Sequence, residues 1–175
     1  MPMSMADTGT LTALKAQMCN VAASMGKSHW YRLSASLPDS PMSYVQLELW
    51  DGHGAFSGTT VHAGTFAISG ADAAAGTCGV CVRGLGGKGE ANATEYFATG
   101  GTVEVTAVGG NGTPISAKLT NLSFVEINPT NQQSVGSGCT AALAATRIDG
   151  TVMQVGGTGG GTGGGGGMCP QTIGD

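Results

Sequence analysis

The sequence predicts an all-β protein: a β-sandwich or jelly-roll-like domain with one short N-terminal α-helix and a glycine-rich C-terminal tail. Three observations predict it. Apolar residues alternate with polar ones through most of the chain, turn signals rich in Gly, Asn, Asp and Pro separate these runs at regular spacing, and no useful helical periodicity returns after residue 27. At 175 residues the chain fits one domain. The expected divisions are an arm and helix at 1–27, the β domain at 28–155 and the tail at 156–175.

Residues 1–9 are polar and Met-rich, without periodicity, and read as a loose arm. From Thr10, apolar residues fall at Leu11, Leu14, Met18, Val21, Ala22 and Met25, one stripe of a helix of about four turns, and Gly26 and Lys27 supply its stop. Cys19 lies at the edge of that stripe, positioned to tie the helix down.

Period two then takes over. His29 to Leu37 is the first strand, ended by Pro38. Tyr44 to Trp50 is the clearest, with Val45, Leu47 and Leu49 on one face and Gln46, Glu48 and Trp50 on the other. After the turn Asp51-Gly52-His53-Gly54, short strands are expected at 65–69, 77–83, 95–98, 102–108 and 115–119, with Gly109-Gly110-Asn111-Gly112 as a hairpin signal. Between 115–119 and 122–127 the apolar phase slips from odd to even positions, which predicts a bulge near Asn121. The last strand is Cys139 to Ile148. No βαβ unit can be drawn.

Composition narrows the function. Charged residues are 10% of the chain and Gly numbers 32, against averages of about 25% and about 7%. This suits an extracellular or structural β protein better than a cytosolic enzyme. The net charge is -4 and the seven Lys and Arg are scattered, so nucleic-acid binding is disfavoured. No apolar run approaches the length that spans a bilayer as a helix, so no membrane insertion is expected. The first thirty residues show no signal peptide, and a secreted chain is expected here as a processed or truncated form. From Gly156 to Gly167 ten of twelve residues are Gly and two are Thr, the composition of a flexible linker or tail, or of a segment ordered by packing in an assembly.

Five cysteines stand at 19, 78, 81, 139 and 169. An odd count leaves one thiol over, and Cys169, isolated behind the glycine run, is the candidate for an intermolecular bond. Cys78 and Cys81 form a CxxC. A thioredoxin-like site needs a helix after this motif, and the glycine-rich 82–87 denies one; a zinc site needs further ligands, and His29, His53 and His62 are not at ligand spacing. Structural disulfides in an oxidising compartment remain. Four cysteines allow three pairings, of which Cys78 with Cys81 and Cys19 with Cys139 is preferred.

No catalytic, cofactor or metal residues are assigned. Asp51 and His53 flank a turn glycine and could be half of a site, though a polar turn is the commoner meaning. Asp72, Glu90, Glu95, Glu104 and Glu126 are scattered and form no EF-hand loop, and no GxSxG elbow occurs. Asn92-Ala93-Thr94 and Asn121-Leu122-Ser123 fit the glycosylation sequon by chance. Of Trp30, Tyr31, Trp50 and Tyr96, Trp50 alone is singled out: it lies on the polar phase of its strand, a hint of carbohydrate binding, although core filling is the usual role of such residues.

Three stretches carry a resemblance: Tyr44-Val45-Gln46-Leu47-Glu48-Leu49-Trp50-Asp51-Gly52-His53-Gly54-Ala55-Phe56; Gly76-Thr77-Cys78-Gly79-Val80-Cys81-Val82-Arg83; and Tyr96 to Val103 running into Leu119 to Ile127 and Gly138-Cys139-Thr140. Together, over about residues 42–148, they resemble an uncharacterised β-rich domain of secreted proteins and lipoproteins of myxobacteria and related bacteria. The resemblance implies an extracytoplasmic β domain with cysteine cross-links and carries no catalytic residues. The glycine tail with Cys169 and the short loop Gly84 to Asn92 depart from it. The expected function is a non-catalytic extracellular structural protein, a self-associating subunit of a surface filament or coat. The alternative is a surface binding or adhesion module recognising a glycan or a protein, with a glycan or matrix protein as the possible partner. Neither needs a cofactor.

Overall fold

The computed structural model describes residues 3–19, 30–38 and 40–155. These residues are all-β, as expected, with strands β1 (Met3–Thr12), β2 (Lys15–Cys19), β3 (Trp30–Leu37), β4 (Ser40–Trp50), β5 (Gly64–Ala67), β6 (Val80–Gly86), β7 (Thr94–Ala107), β8 (Pro114–Ile127), β9 (Thr140–Thr151) and β10 (Met153–Val155). Two short 3-10 turns, Gly54–Phe56 and Gly70–Ala73, lie between β4 and β6.

A sandwich or jelly roll divides its strands between two sheets. Here the described strands share one ten-stranded sheet, in the order β1-β9-β8-β7-β6-β4-β3-β2-β10, with β5 added alongside β7. Its two ends are pieces of the same chain segments. Only Ala13 and Leu14 separate β1 from β2, and only Val152 separates β9 from β10. β1 runs parallel to β9, β2 parallel to β10, and the Ala13 N–H bonds the Asp149 carbonyl at 2.8 Å between them. β2 is also antiparallel to β3, and the Leu14 N–H reaches the Ser34 carbonyl at 2.8 Å. The sheet is therefore closed into a barrel. Counting β1–β2 and β9–β10 as one strand each, with β3, β4, β6, β7 and β8, seven strands alternate up and down. An odd number of alternating strands leaves the first and last pointing the same way, so the closing seam has to be parallel.

The barrel is filled by side chains. Leu33, Leu47, Val82, Val103, Leu119 and Ile148, one from each of six strands, are fully buried in a single core. The inward phase of β4 is the one its sequence shows. Two strands change phase together: β8 buries Ile115, Ala117 and Leu119 and then Leu122 and Phe124, while β7 buries Tyr96 and Ala98 and then Val103 and Val105. Asn121 adopts φ 51° at the slip in β8, the left-handed region that Asn tolerates. Facing it, Gly101 has φ 112°, and a Cβ there would stand 2.7 Å from the Asn121 carbonyl oxygen. The bulge at Asn121 was legible, whereas its counterpart at Gly100–Gly101 was hidden between two runs read as separate strands.

The N-terminal helix is not formed in the described part of 10–25. Thr10 to Thr12 belong to β1 and Lys15 to Cys19 to β2, and residues 20–25 lie outside the described residues. The expected arm contributes β1 as well. Leu14, which a helical stripe would bury, is 57% exposed, while Ala16 and Met18 turn inward on either side of Gln17. A short apolar run fits both periods, and here strand pairing, of β1 with β9 and of β2 with both β3 and β10, takes up backbone groups that a helix would have bonded internally. The glycine-rich tail at 156–175 also lies outside the described residues.

Candidate functional site

The insertion between β4 and β6, residues 51–79, folds back on the barrel through two buried carboxylates. Asp72 accepts hydrogen bonds from the backbone N–H groups of Ala55 at 3.0 Å, Gly79 at 2.7 Å and Val80 at 3.0 Å. Asp51 accepts one from Val61 at 2.7 Å. Asp72 can approach so closely because its neighbours are glycines: a Cβ on Gly54 would lie 1.9 Å from its carboxylate, and one on Gly79 would lie 2.0 Å from the His53 carbonyl oxygen. A disulfide between Cys78 and Cys81, with Cα atoms 5.4 Å apart, fastens the end of the insertion to β6.

The insertion borders an unusual outward face. Period two places Trp30, Arg32 and Ser34 of β3 opposite Trp50, Glu48 and Gln46 of β4, with Gln17 of β2 and Arg83 of β6 flanking them. The Glu48 carboxylate accepts from Gln46 Nε2 at 2.7 Å and Trp50 Nε1 at 3.3 Å and pairs with Arg83 Nε at 3.2 Å. Arg83 also donates to Gln132, whose loop follows β8, and its guanidinium lies 5.5 Å from the Phe97 ring centre. Arg32 gives Gln17 Oε1 two hydrogen bonds, at 3.2 and 2.7 Å. The indoles of Trp30 and Trp50 are 5.0 Å apart at 31°, and His53 meets Trp50 edge-on at 6.4 Å. Beside them opens a cavity of about 170 Å³ lined by Glu48, Trp50, His53, Cys78 and Arg83, together with Ala75 and Gly76.

Of the residues singled out in the sequence, Trp50 and His53 meet at this cavity. Asp51 does not share a site with His53; its carboxylate holds the insertion. Tyr31 and Tyr96 belong to the core. Burial holds both phenols above their ordinary range, reinforced by the Asp51 charge at Tyr31 and by Cys139 and Glu126 at Tyr96. Arg32, Gln46, Glu48 and Arg83 were missed because polar residues on alternate positions read as a solvated face. The available signal was two tryptophans in the same phase as those polar residues. Among the described residues no group of three or more His, Cys, Asp or Glu could hold a metal ion, and no helix is long and apolar enough to cross a membrane.

The expected pairing of Cys19 with Cys139 is not the one formed. The segment β1–β2 runs from Met3 beside Ala141 to Cys19 beside Val155, which puts Cys19 and Cys139 at opposite ends of the barrel. Cys19 is fully buried and disulfide-bonded. Cys139 keeps its thiol, and its N–H bonds Glu126 Oε2 at 2.7 Å. Cys169 lies outside the described residues.

No family model, no curated protein and no solved structure matches the chain.

Proposed function

We propose that this chain is a non-catalytic extracytoplasmic binding module whose cavity beside Trp50 receives a sugar ring. The observation that carries the reading is the combination at one cavity of a half-buried indole with a carboxylate, a guanidinium and an imidazole, from Trp50, Glu48, Arg83 and His53. An indole face matches the apolar face of a pyranose, and the polar groups around it match hydroxyls. At about 170 Å³ the cavity is below the roughly 300 to 1,000 Å³ that encloses a drug-sized ligand, which suits one ring of a longer glycan. The Cys78–Cys81 disulfide supports an oxidising compartment, as does the resemblance to the myxobacterial secreted domain. In this reading the barrel serves as a sandwich-like scaffold, with a core on its inner face and a ligand on one outer face.

The filament or coat subunit is the second reading, and its support is the glycine-rich composition of 156–167. Closure weakens its usual route, because edge-to-edge addition needs an open strand and, among the described residues, pairing is one-sided only at β5 and at the two seam pieces β1 and β10. A panel of bacterial and plant polysaccharides, followed by tryptophan emission and by affinity electrophoresis, tests the proposal. Binding to at least one polysaccharide, lost in Trp50→Ala and partly kept in Trp50→Phe, is expected. No binding across the panel, with regular fibres in negative stain, would transfer the function to the second reading.

A further inference from the structure

We propose that the sugar taken by the Trp50 cavity is an acidic one, a hexuronate ring whose carboxylate is held by Arg83 and His53. The proposal rests on the reading of that cavity as a sugar site and names the class of sugar. The side chains lining the cavity have donors left over and little acceptor capacity. Glu48 is the carboxylate among them, and both its oxygens are already engaged, Oε1 by Gln46 Nε2 at 2.7 Å and Arg83 Nε at 3.2 Å, Oε2 by the Trp50 indole N–H at 3.3 Å. Arg83 carries five N–H groups. One faces Glu48 and one is given to Gln132, and the other three have no acceptor among the described residues. The His53 ring meets Trp50 edge-on and, among the described residues, makes no hydrogen bond. Ala75, Gly76 and the disulfide-bonded Cys78 add no polar side chain to the lining.

That balance chooses between sugars. The hydroxyls of a neutral ring can accept from these donors, but each brings a donor of its own to a lining with little left to receive it, and a donor left unmatched costs affinity. A carboxylate brings acceptors only. It is planar, so it can take two parallel N–H bonds from the guanidinium fork, and the imidazole N–H supplies a third. The fork is set before the ligand arrives, because Glu48 and Gln132 fix the guanidinium from two sides and its face lies 5.5 Å from the Phe97 ring centre. A hexuronate joins this carboxylate to a pyranose ring whose apolar face suits the Trp50 indole. The selection is short-ranged. Glu48 and Arg83 cancel as a pair, the chain has a net charge of -4 and its seven Lys and Arg are scattered, so no long-range field gathers polyanions of every kind. Shape and hydrogen bonding, not charge density, have to decide.

The test titrates the full chain with polygalacturonate, the same polymer methyl-esterified, dextran and dextran sulfate, followed by calorimetry at physiological ionic strength. Polygalacturonate should bind at least about 10-fold more tightly than its ester, which keeps the ring and removes the carboxylate's charge and one of its acceptors. Dextran and dextran sulfate should bind more weakly than polygalacturonate. Arg83→Lys keeps a positive charge without the fork and should lower the affinity for polygalacturonate toward that of the ester, and His53→Ala should lower it part of the way. Should Arg83→Lys fold poorly, the comparison of acid and ester on the unaltered chain still decides. Equal binding of acid and ester, or a preference for dextran, would overturn the inference and leave the sugar reading standing. Dextran sulfate bound as tightly as polygalacturonate would overturn it in favour of charge alone. Failure of all four polymers to bind would also overturn it, and the wider polysaccharide panel then decides the sugar reading separately.

Discussion

Glu48 ties together three residues of the outward face, since its carboxylate meets Gln46, Trp50 and Arg83. Both charges of the Glu48–Arg83 pair are largely removed from water, so losing one strands the other. Glu48→Ala is expected to cost about 3 kcal/mol in urea unfolding, and Glu48→Gln with Arg83→Met clearly less, because the double change leaves no unpaired buried charge. An equal loss in both would mean the pair contributes through packing alone. The buried phenols give a pH dependence at the same scale. Tyr31 and Tyr96 are held above the ordinary phenol range, chiefly by burial. An acid whose folded pKa is raised binds its proton more tightly when folded. Its stabilisation is complete below the unfolded pKa near 10 and is lost as pH rises through the higher folded value. Absorbance at the phenolate band should therefore show these two tyrosines ionising late and together with alkaline unfolding. Ionisation at the free-tyrosine pH in the folded protein would contradict their burial.

Among the elements, the insertion 51–79 depends on one carboxylate and two glycines. Removing the Asp72 acceptor strands the N–H groups of Ala55, Gly79 and Val80, and at about 1 to 3 kcal/mol for each unsatisfied buried group, Asp72→Ala should lose about 2 to 4 kcal/mol after partial rehydration. Gly79→Ala pushes a methyl into the His53 carbonyl and should cost about 3 kcal/mol by overpacking a backbone that cannot retreat. Both should raise proteolysis within 51–79 before the barrel unfolds; if either variant is cut no faster than the parent, the staple is not what holds the insertion. None of this was visible in the sequence, where Asp72 is one scattered acid, because the groups it joins are 17 and 7 positions away along the chain. What was legible is local. The inward phases of β4 and β8, the hairpin glycines at 109–112 and the bulge at Asn121 follow from alternation and turn chemistry within a few residues. The strands at 10–19 were misread for the same reason: a short apolar run satisfies two periods, and only distant partners, β3 and β9, choose between them.

At the scale of the whole molecule, closure bears on how many sheet edges so glycine-rich and weakly charged a chain leaves open. Open sheet edges are templates for further strands, and charge is the common protection; here only 10% of residues are charged, so the edges have to be removed instead. The parallel seam does this by placing β1 on β9 from Met3 beside Ala141 to Thr12 beside Asp149. Of the β1 side chains described, Leu11 packs against the core, and only in part, so loss of residues 1–12 should leave most of the fold intact while opening the long edge of β9. A chain beginning at Ala13 is expected to keep its β-sheet circular dichroism, to pass from a single species to concentration-dependent oligomers in analytical ultracentrifugation, and to revert when a peptide of residues 1–12 is supplied in excess. Reversion by the peptide is the decisive part, because general destabilisation would also cause association but would not be reversed by a strand that pairs with β9. A truncated chain that stays monomeric at all concentrations would show that the seam is not what keeps the edge of β9 from pairing with another chain.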